Sequence, residues 1–241
     1  FPRYKELLEK RGKTCTDLKK RARIFTTQEL RDIQVLFNLA WIDPLHRQND
    51  AFLRELTEKG SNFTEKEKML LVKKQIEIIK KIIPTYKKMA ETGQIELSIS
   101  PFYHPIMPLV YDNYKAKQCT PDITLPEYNF RAPEDVEAQI NKAISYFEKI
   151  FKFKPAGMWP SEGAISEDVI RLIGKSGIKW IATDEEILSR SIQEKLRHHD
   201  NLIDPLKLYQ VYEFEGVKIF FRDRILSDLI GFVYSAWQPE K

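Results

Sequence analysis

The spacing of apolar residues changes character at Gly93, and that change decides the fold class. Up to Gly93 the spacing is helical. Directly after it, Gln94-Ile95-Glu96-Leu97-Ser98-Ile99-Ser100 alternates with period two and reads as a strand. Pro101, Pro105 and Pro108 then mark a long irregular loop. Pro133 opens a helix with Glu134 and Asp135 in its first turn and Val136, Ile140, Ala143, Ile144, Phe147 and Phe151 on its apolar face. Ala156-Gly157-Met158-Trp159 is a short buried strand. Ser166 caps the next helix, Gly177 ends it, and Ile178-Lys179-Trp180-Ile181-Ala182-Thr183 is another strand. A hairpin follows, from Leu208 to Phe214, through a Glu215-Gly216 turn, and back along Val217 to Arg222. Strands and helices in alternation are the α/β pattern, and parallel strands from a barrel or an open sheet are expected. These strands are too few to close a barrel within 241 residues. Residues 1–92 form a mainly helical segment and 93–241 a βα portion.

Within the helical segment, Thr26 to Glu29 and Thr64 to Glu67 both have capping-box spacing, in which each side chain bonds the other's free backbone N–H. Leu30, Ile33, Phe37, Ala40 and Trp41 follow the first box, and Pro44 closes that segment. Leu70, Leu71, Ile78, Ile79, Ile82, Ile83, Tyr86 and Met89 follow the second. Pro84 is expected to kink or split the second helix, and Gly93 to supply its left-handed C-terminal cap. The polar stretch 45–62 reads as a loop.

Composition removes several function classes. Hydrophobic residues are 42% and charged residues 31% of the chain, an ordinary balance for a globular protein. No run of about 18 apolar residues is present, so no membrane partner is expected. The 39 basic and 35 acidic residues leave a net charge of only +4 and are interspersed, which does not suggest a nucleic-acid partner. Cys15 and Cys119 are too few for a disulfide framework or a four-cysteine zinc site. With 9 glycines there is no glycine-rich phosphate loop. The chain begins with Phe1 and shows no signal-peptide core, so it reads as an interior stretch of a longer protein in the cytoplasm.

The chemistry gathers where the strands end. Enzymes on α/β barrels carry their sites on the loops after the C-terminal strand ends. Here those positions are Tyr103-His104, Ser161-Glu162, Asp184-Glu185 and Arg222-Asp223. If the strands are neighbours, His104, Glu162, Asp184 and Asp223 converge on one rim, with Trp159 and Trp180 close in sequence. Carboxylates mixed with tryptophan suit a sugar: the ring faces its C–H side, and the acids bond hydroxyls or act on the glycosidic bond. The plainer readings are that such acids cap helices, that the tryptophans are core residues, and that His104 packs among its prolines. His198-His199-Asp200 has no third metal ligand at regular spacing, His46 reads as solvated, and Cys119 lacks a base partner.

Several stretches together resemble the family 57 glycoside hydrolases, in the amylopullulanase-like branch. They are Gly93-Gln94-Ile95-Glu96-Leu97 through Ser100-Pro101-Phe102-Tyr103-His104-Pro105-Ile106, Gly157-Met158-Trp159-Pro160-Ser161-Glu162-Gly163, Trp180-Ile181-Ala182-Thr183-Asp184-Glu185, and Phe221-Arg222-Asp223-Arg224-Ile225-Leu226-Ser227-Asp228. Pro2-Arg3-Tyr4-Lys5-Glu6-Leu7-Leu8 and Phe37-Asn38-Leu39-Ala40-Trp41 extend the likeness over nearly the whole chain, and Trp-Pro-Ser-Glu is its most specific part.

The resemblance implies an α/β fold that is part of a (β/α)7-type barrel, acting on α-glucans such as starch or glycogen with retention of configuration. It implies Glu162 as the catalytic nucleophile, with the Ser161 hydroxyl placed to orient it. His104, Tyr103, Trp159, Asp184, Asp223, Trp180 and Trp41 are the expected substrate-binding residues, Asp184 and Asp223 either on substrate or behind the residues that touch it. The family's His-Gln-Pro and Asp-Gly-Glu motifs are absent, so the first barrel strand and the general acid are expected outside these residues, and the segment alone is expected to be inactive. No cofactor and no metal are expected. The alternatives are a glucan transferase, an α-glucan-binding protein without catalysis, and a metal-dependent polysaccharide deacetylase. The last is poorly served by the four histidines at 46, 104, 198 and 199.

Overall fold

The computed structural model describes residues 1–12 and 18–237, so Cys15 lies outside the described residues. The chain divides into two compact units, Phe1–Thr92 and Gly93–Lys241.

The first unit is helical: α1 (Pro2–Arg11), α2 (Leu18–Ala22), α3 (Thr27–Trp41), α4 (Pro44–Asn49), α5 (Ala51–Lys59) and α6 (Glu65–Glu91). Both capping boxes form as expected: Thr26 and Thr64 accept from the N–H groups of Glu29 and Glu67, whose carboxylates reach back. The unit's core is Val35, Leu36, Leu39, Ile42, Leu53, Leu56, Phe63 and Leu71. Buried Asp32 accepts the Phe63 N–H at 3.1 Å and the Gln28 amide at 2.9 Å, tying α3 to the start of α6.

The loop expected over 45–62 is absent, and the helix through Pro84 is not split. Residues 45–62 are not a loop but mostly α4 and α5, each begun by an aspartate, Asp43 or Asp50, that accepts a backbone N–H. The stretch looked polar because α4 buries no residue and α5 buries only Leu53 and Leu56. Pro84 neither ends nor splits α6, which runs unbroken for 27 residues. Its position is exposed, so the Lys80 carbonyl left without its helical donor faces outward, and capped, continuous helix on either side outweighs the lost bond. Gly93 does adopt the left-handed φ of +72° at the end of the helix.

The second unit runs β1 (Ser98–Ile99), α7 (Met107–Tyr111), α8 (Ala116–Cys119), α9 (Pro133–Phe151), β2 (Gly157–Met158), α10 (Glu167–Lys175), β3 (Trp180–Asp184), α11 (Glu185–Ser191), β4 (Arg197–His198), β5 (Asn201–Leu202), α12 (Pro205–Leu208), β6 (Tyr212–Phe214), β7 (Val217–Arg222) and α13 (Arg224–Asp228). Its main sheet has the order β1-β2-β3-β7-β6, in which the first four strands are parallel and β6 joins antiparallel. The hairpin turn is where the sequence put it, with Glu215 and Gly216 at φ 52° and 78°, the left-handed pair that a two-residue turn requires. Leu208 belongs to α12 rather than to the hairpin, and the first strand is two residues long rather than seven.

Met158, Ile181, Val217 and Ile219 from the sheet pack against Val136 and Ile140 of α9 and Val169, Ile170 and Ile173 of α10, making one core. The parallel strands therefore present their C-terminal ends together, and the loops after β1, β2, β3 and β7 lie side by side.

Candidate active site

Glu162 stands in a tight turn directly after β2. Its backbone is left-handed, φ 55° and ψ 19°, and so is that of Gly163, φ 66°. The Ala164 N–H closes the turn on the Ser161 carbonyl at 3.0 Å. A non-glycine residue in this conformation is uncommon and carries backbone strain, which concentrates at functional sites. The turn leaves the Glu162 side chain 72% exposed, open to a ligand.

His104 reaches the same point from the loop after β1. It too has a positive φ, 56°, in a turn closed by its N–H on the Pro101 carbonyl at 2.9 Å. Its Nε2 lies 3.5 Å from Glu162 Oε1, so the loops after β1 and β2 meet through these two side chains.

Trp159 connects this pair to the neighbouring strands. Its N–H bonds the Ile99 carbonyl at 2.8 Å, and the edge of its ring lies 3.6 Å from where a β-carbon on Gly163 would be. The Arg222 guanidinium sits 5.9 Å from the ring centre and donates through Nε to Asp184 at 2.9 Å. Asp184 also accepts the Glu186 N–H at 3.0 Å, capping α11. Asp184 and Arg222 are register partners at the ends of β3 and β7, which explains why they meet. Ala164 and Asp184 also help line a groove of about 600 Å³ whose walls include Ile106, Leu109, Ile165 and Ile187.

Other expected residues are placed elsewhere. Trp180 is the first residue of β3, paired with Gly157 and Lys218, whereas the rim begins at Asp184. The two are four steps apart along the strand, about 13 Å. Trp180 therefore belongs to the opposite end of the sheet, where its indole donates to Glu96 at 2.5 Å. Proximity in sequence to a strand did not tell which end of it the ring occupies. Trp41 is the exposed last residue of α3 in the helical unit. Tyr103 is exposed but held against α9: its hydroxyl accepts from Lys142 at 3.0 Å and its N–H donates to Gln139 at 2.9 Å.

Asp223 follows β7 at the rim, but its carboxylate has internal partners. It caps α13 through the Leu226 N–H at 2.9 Å, accepts the Tyr209 hydroxyl at 2.6 Å and pairs with Arg197 at 2.7 Å. Burial pushes this carboxyl up, but the bonds from Tyr209, Leu226 and Arg197 more than offset that and hold it below the usual aspartate range. The same bond from the other side holds the Tyr209 hydroxyl above its ordinary value.

The sequence reading missed two residues. Arg222 was noted only as the neighbour of Asp223, although an arginine ending a strand beside an acid-terminated one carried the signal. Thr183 was read as strand, yet it is fully buried and its hydroxyl donates to the Gly163 carbonyl at 2.5 Å. Ser161 does not orient Glu162 in the way expected: its buried hydroxyl bonds no group among the described residues. Among those residues no group of three or more His, Cys, Asp and Glu could hold a metal ion, and no helix is long and apolar enough to cross a membrane.

A parallel sheet with a carboxylate, a histidine and a tryptophan at its C-terminal strand ends has the layout of an α/β-barrel active site. The chain belongs to glycosyl hydrolase family 57, whose model matches residues 1–241. It is 29% identical over 97 residues to alpha-amylase 1 of Dictyoglomus thermophilum, a match covering 40% of this chain and 11% of that protein. Two solved structures share its fold at a TM-score of 0.50 and 16% identity. The α-amylase AmyC from Thermotoga maritima is matched over 92% of this chain and 36% of its own. The GH57-type branching enzyme from Pyrococcus horikoshii is matched over 95% and 37%. The chain thus spans little more than a third of either solved structure and about a ninth of the curated relative. The fold is α/β, part of a (β/α)7-type barrel, as the sequence led us to expect.

Proposed function

We propose that this chain supplies the nucleophile half of the active site of a retaining enzyme acting on α-glucans, with Glu162 as the nucleophile. The observation that carries the reading is Glu162 itself, an exposed carboxylate on a strained turn at a barrel rim, facing His104, with the Trp159 ring edge against Gly163 of the same turn. Family membership supports the same chemistry.

In that chemistry a Glu162 carboxylate oxygen attacks the anomeric carbon, and the bond from that carbon to the leaving oxygen breaks as a second carboxyl group gives the oxygen its proton. The resulting ester is opened by water, or by a glucan hydroxyl in transfer, and the attacking group's proton returns to the second carboxylate. His104 donates to the glucan or to the Glu162 oxygen at its side, and Trp159 covers a C–H face of a sugar ring. We assign the proton donor to a carboxyl outside these 241 residues, because Asp184 is engaged by Arg222 and Glu186, and Asp223 by Arg197 and Tyr209.

The test is Glu162→Gln in the full-length protein, assayed for reducing-sugar release and for transfer on soluble starch. The change is nearly isosteric, so the fold is kept while turnover falls by roughly three orders of magnitude or more, since an amide forms no ester. Retention of more than about a tenth of the activity is incompatible with a nucleophile at this position.

A further inference from the structure

We propose that Thr183 is a positioning residue for Glu162, acting through the backbone of the turn that carries it; this rests on the reading of Glu162 as the nucleophile. Thr183 and Ile181 are the two fully buried residues of β3 and alternate with the part-exposed Trp180, Ala182 and Asp184, so Thr183 points to the core face. Burial alone would place an aliphatic side chain there, and valine has almost the same shape. The hydroxyl is kept for a bond: it donates to the Gly163 carbonyl at 2.5 Å, across from one strand's end to the loop of the next.

That carbonyl belongs to the residue after Glu162, inside the left-handed pair. The turn's own bonds, Gly163 N–H to the Pro160 carbonyl at 2.8 Å and Ala164 N–H to the Ser161 carbonyl at 3.0 Å, close it but do not tie it to the sheet. Thr183 does. It fixes the orientation of the Glu162–Gly163 segment against β3, and hence the direction in which the Glu162 side chain leaves the backbone. Ser161, the nearer hydroxyl, takes no part in this among the described residues. A carboxylate that must attack along one line is sensitive to displacement: an error of about 1 Å costs on the order of a hundredfold in rate.

The experiment labels the full-length protein with 5-fluoro-α-D-glucosyl fluoride and follows the covalent adduct by intact-mass spectrometry, with peptide mapping to locate it. Wild-type protein acquires one label, on Glu162. Thr183→Val and Thr183→Ala both label to full stoichiometry but with a rate constant lower by about tenfold or more. Thr183→Ser, which keeps the hydroxyl, restores the wild-type rate constant. A purely structural role reads differently: reversible unfolding lowers the rate constant only in proportion to the fraction unfolded, which far-ultraviolet circular dichroism measures under the labelling conditions, and irreversible unfolding lowers the fraction labelled. Either pattern, or wild-type rate constants in both variants lacking the hydroxyl, overturns the inference. A wild-type label mapped to another residue overturns the nucleophile reading itself and the inference with it.

Discussion

The indole of Trp180 occupies the space that a β-carbon on Gly157 would need, with Cε2 only 2.0 Å from that position. Glycine is required there because strands β2 and β3 pair at these two residues and the ring folds across the neighbouring backbone. Adding a single methyl group pushes the indole aside and breaks its bond to Glu96. Gly157→Ala is expected to cost about 1–3 kcal/mol of stability, the usual range for overpacking. Urea denaturation measures it, with a change in tryptophan emission as the ring is displaced. An unchanged midpoint would mean that the ring moves away at no cost and that the close approach is incidental.

This contact also shows where the sequence stopped being informative. Glu162 and His104 were legible because each stands just beyond a short apolar strand in an unusual setting, Trp-Pro-Ser-Glu for one and a proline-rich turn for the other. Trp180 was misplaced because its nearness in sequence to Asp184 was counted, although it opens the strand and the rim lies at the strand's C-terminal end. Asp223 and Asp184 were found as rim acids, but an aspartate after a strand reads alike whether it faces a ligand or caps a helix, and both cap. The helices α4 and α5 were hidden because each buries two residues or fewer and so shows little apolar period.

Arg197 tests how much the wall of the rim depends on buried charge. Its guanidinium forks onto Glu185 at 2.6 and 2.9 Å, reaches Asp223 at 2.7 Å and donates to the Asp200 carbonyl at 2.8 Å. The Glu185 and Asp223 side chains are only 4% and 8% exposed. The bond to Glu185 above all, and then that to Asp223, hold the guanidinium proton more tightly than usual. Arg197→Met keeps the aliphatic stem but leaves buried Asp223 without a cation and Glu185 with only the Arg224 guanidinium at 3.9 Å, and is expected to cost about 3–5 kcal/mol. Arg197→Lys is not a rescue, since a single ammonium cannot fork onto the same oxygens. If Arg197→Met unfolds at the wild-type urea concentration, water reaches these carboxylates and the burial argument is wrong.

Glu29 sets an acid limit on the helical unit. Lys10 holds its two oxygens at 2.6 and 2.8 Å, and the Thr26 N–H bonds it at 2.8 Å, closing the capping box of α3. The lysine bond first, then the backbone N–H, lower its pKa to about 2. An unfolded glutamate titrates near 4.3. A carboxyl depressed on folding stabilises the native state fully above the unfolded value, and that stabilisation is lost as pH falls through the folded one. The window for Glu29 therefore runs from about 4.3 down to about 2. Other carboxylates held by cations, Glu65 and Glu67 among them, titrate in the same direction, so the wild-type profile by itself does not isolate this group. The difference between wild-type and Glu29→Gln does. Urea denaturation followed by far-ultraviolet circular dichroism should find the variant less stable at pH 6, with the gap shrinking steadily as pH falls below about 4 and nearly closed by pH 2. A gap that stays constant across that range would assign the loss to the shape of the glutamine cap rather than to the charge on Glu29.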